Sequence, residues 1–224
     1  MNKESSINMS RRIKVTYYVL AFLPLIYTIL SLPVFPDLIP AHYNIDGEID
    51  RWGSKYENLI FPIIILIYSF AMRKYTQRTN STNIEQYIIL FILLVLNITC
   101  FFSLISAYVE EKNQMQKMYI NMQQLFGVLS SILFFLIGII IPNIGYNSAI
   151  GIRNRWTISD EKVWNNTHKK SRWIFLTGGL LGAIGSFYDH GGYAITIFMV
   201  LILFIILSCT LLSIRCSKND ITRK

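Results

Sequence analysis

Long stretches without a charged side chain, separated by small clusters of Lys and Arg, constrain this chain more than anything else in its sequence. Six charge-poor segments run over 15–32, 58–72, 86–109, within 118–142, 173–188 and 191–214. A helix needs about 20 residues to cross the hydrocarbon of a bilayer. Four of the six approach or exceed that length. The segments at 58–72 and 173–188 are shorter and need flanking Tyr, Trp, Lys or Arg that reach the interface. Composition agrees, since 53% of residues are hydrophobic and only 15% are charged, against about a quarter charged in an ordinary soluble domain. The expectation is an all-α integral membrane protein with six transmembrane helices. No small-residue cleavage pattern follows 15–32, so that run is expected to be a retained span.

The net charge is +8, but the basic residues punctuate apolar runs instead of forming one nucleic-acid-binding face, so no direct nucleic-acid binding is expected. Seventeen of the 21 Lys and Arg fall on one side of the six-span arrangement; only Arg51, Lys55, Lys112 and Lys117 fall on the other. The positive-inside rule then places both termini in the cytoplasm of a multi-pass plasma-membrane protein. Segments follow as a cytoplasmic tail 1–14, a three-span half 15–109 with an extracellular loop 33–57, a second half 118–214 with a cytoplasmic loop 151–172, and a cytoplasmic tail 215–224. Cys100, Cys209 and Cys216 have neither zinc-site nor extracellular-disulfide placement.

The halves share a layout of long span, ordered loop, short span, short loop, long span. Gly47-x-x-Asp50-Arg51-Trp52 in the first loop is echoed by Gly151-x-x-Asn154-Arg155-Trp156 in the second. Three spans per half would make the halves inverted, an arrangement that often frames a midplane site.

The outer loop carries Pro33, Pro36 and Pro40, which favour an extended path, and an Asp46-Gly47 turn signal. Its five acidic residues suit either a solvated cap or attraction of cationic peptides or metal ions. His42 and His190 are the weak metal candidates, near Asp46, Asp50 and Asp189. Thr99, Ser103 and Ser106 share a helix face with the spacing of polar glue between helices. Gly178, Gly182 and Ser186 have the spacing of close helix packing, within the chain or in a dimer. In 151–172, Thr157 with Asp160 fits a capping box and Ser159 is a rival cap. A short interfacial helix over 160–168 would put Lys162, Lys169 and Lys170 near lipid phosphates. No HExxH, GxSxG, Walker, GxGxxG or CxxC pattern occurs, so neither catalysis nor a cofactor is expected.

The second loop resembles the signature of the SdpI family of bacterial membrane immunity proteins, roughly G-[IL]-R-T-x-W-T-[IL]-S-x-E-x-W-x-x-T-H. Gly151, Ile152, Arg153, Trp156, Thr157, Ile158, Ser159, Glu161, Trp164, Thr167 and His168 match; Asn154 and Arg155 stand where the family often has Thr-Pro. Pro36, Pro40, His42, Gly47, Asp50, Gly53, Ser54 and Lys55 resemble a separate domain of unknown function that often precedes that signature. The resemblance implies a non-enzymatic immunity protein giving resistance to a secreted toxin peptide. It also implies a toxin receptor able to hold a cytoplasmic repressor at the membrane. The cytoplasmic functional set is expected to be Arg153, Arg155, Trp156, Glu161, Trp164 and His168. The extracellular set is His42, Asp50, Trp52 and Lys55. Membrane lipids are the other expected partner. A small peptide or ion transporter is the competing class, although no span has a central charged residue of the kind that marks many ion pathways.

Overall fold

A computed structural model describes residues 10–44, 46–78, 83–148, 150–188 and 193–221. Its long helices are α1 (Arg11–Ser31), α2 (Ile60–Arg78), α3 (Asn83–Lys112), α4 (Met122–Ile140), α6 (Glu161–Phe187) and α7 (Ala194–Ile221), with a short α5 (Arg155–Ser159) before α6. Among the described residues five stretches, not the six expected, are long and apolar enough to cross a membrane: Arg11–Ser31, Lys55–Gln77, Asn83–Lys112, Met122–Asn143 and Thr196–Asn219. Large apolar side chains line the outside of the bundle, among them Leu30, Ile67, Leu181 and Leu211. Such a belt fits lipid and would be a liability in water.

One departure from an all-helical chain lies in the first loop. β1 (Leu38–Tyr43) and β2 (Ile49–Ser54) form an antiparallel hairpin. The turn between them uses Gly47 at φ +75°, while Asn44 Oδ1 accepts the N–H groups of Asp46 and Glu48. Lys55–Leu59 then make a 3₁₀ turn capped by Ser54. This turn leads into α2, so the second apolar stretch is 23 residues long and not short.

The fifth segment is not short either. A single 27-residue helix, α6, replaces the expected interfacial helix over 160–168 and the separate span after it. Its buried residues run as one stripe, Val163, Trp164, Thr167, His168, Ser171, Phe175, Gly178, Gly179, Gly182 and Ser186. Spacings of three and four keep that stripe on one face, and the charged residues Lys162, Lys169, Lys170 and Arg172 lie exposed off it. The small residues serve a contact within the chain. A Cβ on Gly179 would lie 2.5 Å from Phe135 N, and one on Gly138 would lie 2.9 Å from Leu176 N. Backbone approach of α4 to α6 therefore depends on glycines from both helices.

Among the described residues, apolar side chains gather in three groups, one of them Phe35, Ile39, Leu104 and Ala107 beneath the hairpin. Tyr17, Ile65, Ile89, Leu93 and Cys100 join α1, α2 and α3, and Trp164, Phe175, Ile205 and Cys209 join α6 and α7 with Ile141 and Ile144. Asn97 on α3, outside the expected trio of polar residues, donates to the Leu20 carbonyl of α1 at 2.8 Å. Thr99 instead donates to the Val95 carbonyl of its own helix. All three cysteines are free and buried.

Candidate functional site

Two structured regions occupy opposite ends of α3, and a buried glutamate fastens each to that helix. Glu85 and Glu110 are 25 residues apart, about 37 Å along an α-helix. Their exposures are 1% and 0%. A carboxylate so deeply buried is tolerable only when donors surround it, and here the donors come from the loops.

At the first end, Glu85 Oε1 accepts from the Ser148 hydroxyl and from Ile150 N at 3.1 Å. The chain then reaches Gly151, whose φ of +144° is strained for any residue with a side chain. Space forbids a side chain as well, because a Cβ there would sit 2.6 Å from His168 Nε2 and 3.1 Å from the Trp164 ring. Trp164 and His168 are fully buried and stack at 4.2 Å, 20° from parallel. Trp164 Nε1 donates to the Ile144 carbonyl at 3.1 Å. His168 Nε2 accepts from Ile152 N at 3.0 Å. That makes Nε2 the bare nitrogen, so Nδ1–H donates to the Trp164 carbonyl at 2.8 Å. Both ring nitrogens are occupied, and burial pushes the imidazole pKa down.

Capping follows a different register from the expected one. Asn154 caps α5 and forms a capping box with Thr157, whose hydroxyl also donates to Ile152 O at 2.7 Å. Asp160, not Ser159, caps α6 by accepting from Lys162 N and Val163 N. Asn154 Nδ2 donates to Ser213 Oγ on α7 at 2.7 Å. The turn is thus tied to α3 through Glu85, to α6 through His168 and to α7 through Asn154. Arg153 bonds its own loop, at the Asn147 and Ser148 carbonyls and Asn147 Oδ1, so it is engaged and not held out for a partner. Arg155 lies 4.5 Å over the Trp156 ring, and both Arg155 and Glu161 are exposed.

At the second end, Glu110 accepts from the Tyr43 hydroxyl at 2.7 Å, from Tyr119 N at 2.6 Å and from the Ser106 hydroxyl. Ser106 in turn accepts from Ile120 N at 3.0 Å. Hairpin and α3–α4 linker also pair directly, through Ile49 N to Gln116 O and Met118 N to Gly47 O, both 2.9 Å. Burial and the bond to Glu110 push the Tyr43 pKa up.

The acidity read from the outer loop is largely cancelled. Asp37 pairs with Lys55 at 3.0 Å, Glu57 with Arg51 at 2.9 Å, Glu48 with Lys117 at 3.2 Å, and Asp50 with His42 at 2.6 Å. Asn44 and Lys117 hold the Glu48 carboxyl below its ordinary value. Trp52 is 39% exposed. No group of three His, Cys, Asp or Glu that could hold a metal occurs among the described residues, and His190 and Asp189 lie outside them.

Comparison with known proteins matches both ends. Residues 19–66 match a domain of unknown function (DUF1648), and residues 143–213 match the SdpI/YfhL protein family. The second of these regions is thus similar to the SdpI/YfhL family. It is 24% identical over 206 residues to "Immunity protein SdpI" of Bacillus subtilis (strain 168), covering 90% of this chain and 94% of that protein. No solved structure matches. The SdpI/YfhL region begins at Asn143, just before the Ile144 carbonyl that receives Trp164, and ends at Ser213, the partner of Asn154. The relationship and the bundle of apolar helices make this a multi-pass plasma-membrane protein with an immunity-protein homologue.

Sequence reading missed Glu85, Ser148 and Ser213 at one end and Tyr43, Ser106's carboxylate partner Glu110, and the 116–120 linker at the other. One signal was available. Glu85 and Glu110 are the residues immediately flanking the apolar run 86–109, and each lies on a helix face shared with buried positions.

Proposed function

We propose that this chain is an immunity protein that protects its cell from a secreted killing peptide. The peptide is met at the hairpin end, outside the cell, and the turn end faces the cytoplasm. The observation that carries the reading is similarity to an immunity protein along 90% of the chain, spanning both structured ends. The charge asymmetry supports the orientation, with 17 basic residues assigned inside.

On this reading the hairpin end receives the toxin and the turn end holds a fixed cytoplasmic surface. Arg155, Lys162, Lys169 and Lys170 are its exposed cations, suited to an acidic surface on a repressor protein or to lipid phosphates. Release or capture of a repressor requires two states that toxin binding separates energetically. Transport is the weaker reading, because Asn97 is engaged between helices and Thr99 within its own.

Survival of a toxin-sensitive host expressing the chain tests the proposal, with toxin fate measured alongside for wild type, Arg153→Ala and His42→Ala. Survival with intact, cell-bound toxin is expected. Loss of toxin from the cells would indicate export, and cleaved toxin an enzyme. No protection against any related killing peptide would overturn the immunity reading.

A further inference from the structure

Between the hairpin and the adjoining ends of α2 and α3 lies a cavity of about 300 Å³. Ile39, Phe61, Leu104 and Ala107 supply apolar wall, and the lining continues along α3 from Ala107 to Cys100. Seven residues of helix make that wall about 10 Å deep. The volume is at the lower end of small-ligand pockets, enough for one side chain and too little for a folded peptide.

Asn58 also lines this cavity, and its Nδ2 is buried without a hydrogen-bond partner. A buried amide donor left unmatched costs free energy that an incoming acceptor would recover. Arg51 and Glu57 line the cavity on its exposed side. They neutralise each other through two bonds at 3.2 and 2.9 Å, and Arg51 Nη2 also donates to Ala41 O at 3.2 Å. That leaves the guanidinium committed, so a phosphate or carboxylate finds no free cation there. Gly53 permits this arrangement, because a Cβ on it would meet Glu57 Oε1 at 2.1 Å. With an apolar wall facing the polar side chains of Asn58 and Ser103, and no free charge at the entrance, the chemistry fits a neutral peptide segment better than a phospholipid.

We infer that this cavity is a receptor pocket for one bulky apolar side chain of an extracellular peptide, whose adjacent main-chain carbonyl accepts from Asn58 Nδ2. The inference rests on the hairpin end facing outward in an immunity protein, and it locates where the peptide is held.

Photolabelling of the full chain in phosphatidylethanolamine–phosphatidylglycerol vesicles tests it, using acetyl-Ala-benzoylphenylalanine-Ala-amide as the probe. Adducts are expected within residues 39–61 and 100–107, competed by acetyl-Ala-Trp-Ala-amide but not by acetyl-Ala-Lys-Ala-amide. Asn58→Asp keeps the shape and removes the donor, and should cut labelling about five-fold, the effect of one hydrogen bond. Ala107→Phe fills the slot and should abolish labelling. Adducts spread over the lipid-facing sides of α1 and α7 would overturn the proposal. So would suppression by raised phosphatidylglycerol in place of the Trp peptide, or wild-type labelling in both variants. The two readings fail separately. Localised labelling in a chain that protects no cell removes immunity and leaves the pocket, whereas protection with unlocalised labelling removes only the pocket.

Discussion

Glu85 and Glu110 solve the same physical problem at the two ends of one helix, and their surroundings differ in a way that separates the ends by role. Each is a buried carboxylate whose acceptors are met by loop donors. Around Glu85, the Trp164 and His168 side chains are completely bonded and packed, and the turn leaves no room even for a Cβ on Gly151. Around Glu110, the hairpin is fastened just as firmly at Tyr43, yet beside it a cavity and an unmatched Asn58 amide remain. A region packed so tightly that no Cβ fits is a fixed part, even with Thr167 Oγ1 left unmatched inside it. A region with space and a spare donor is a receiving part.

The largest expected effect tests the first of those descriptions. Trp164→Ala empties a fully buried indole and frees the Ile144 carbonyl, and should lower stability by about 3–5 kcal/mol, read by thermal unfolding in detergent. Gly151→Ala should come close, because positive φ and contact with two rings both oppose the new methyl. Retention of wild-type stability by both would show that the turn is not packed as described. Next in size is the reciprocal pair. Glu85→Ala leaves Ile150 N–H and the Ser148 hydroxyl unmatched, and Glu110→Ala strands Tyr43 OH and Tyr119 N–H, each at about 1–3 kcal/mol per group. Hydrogen exchange should then rise at 147–153 in the first variant and at 43–49 and 116–120 in the second. Loosening of both loops by either substitution would mean the ends are coupled through α3 and not independently anchored.

Why these glutamates escaped a reading of the sequence is instructive. Charge marks the limit of a span, so the apolar run extends from Gln86 to Val109 and its two charged neighbours look like its boundary. Helix periodicity continues through both, which buries Glu85 beside Ile88 and Ile89 and Glu110 beside Ser106 and Ala107. The helical, membrane-spanning character of the chain and the Asp46-Gly47 turn were legible from hydropathy and turn chemistry. The depth of Trp164 and His168 was not, because a Trp followed by lysines suits an interface equally well. Only packing against Ile144 and Gly151 distinguishes the two. Pairing of the outer acids was hidden for a similar reason. Lys117 reaches Glu48 from another loop, and no local rule joins positions that far apart.

Acidification offers a smaller and more selective probe of the same contrast. Burial holds the His168 pKa below its ordinary 6.5, so the unfolded chain binds this proton more readily than the folded one. Stability from the neutral ring is therefore complete above about pH 6.5 and is lost as pH falls towards the folded value. Thermal unfolding of wild type should show that decline, and His168→Gln should flatten it. An equal decline in the variant would assign the pH dependence to other groups.

The smallest expected effect on stability belongs to His42, and it sharpens the hairpin end most. Its bond to Asp50 is short at 2.6 Å, but the side chains are 63% and 43% exposed, where pairs contribute about 0–1 kcal/mol. His42→Ala should therefore leave unfolding almost unchanged, since Glu110 and the linker hold the hairpin independently. The same substitution in the survival assay isolates function from fold. If protection falls while stability does not, the exposed face of β1 contributes to toxin contact in addition to the cavity behind it. If both stay at wild-type values, recognition lies with the cavity and not with the exposed pair.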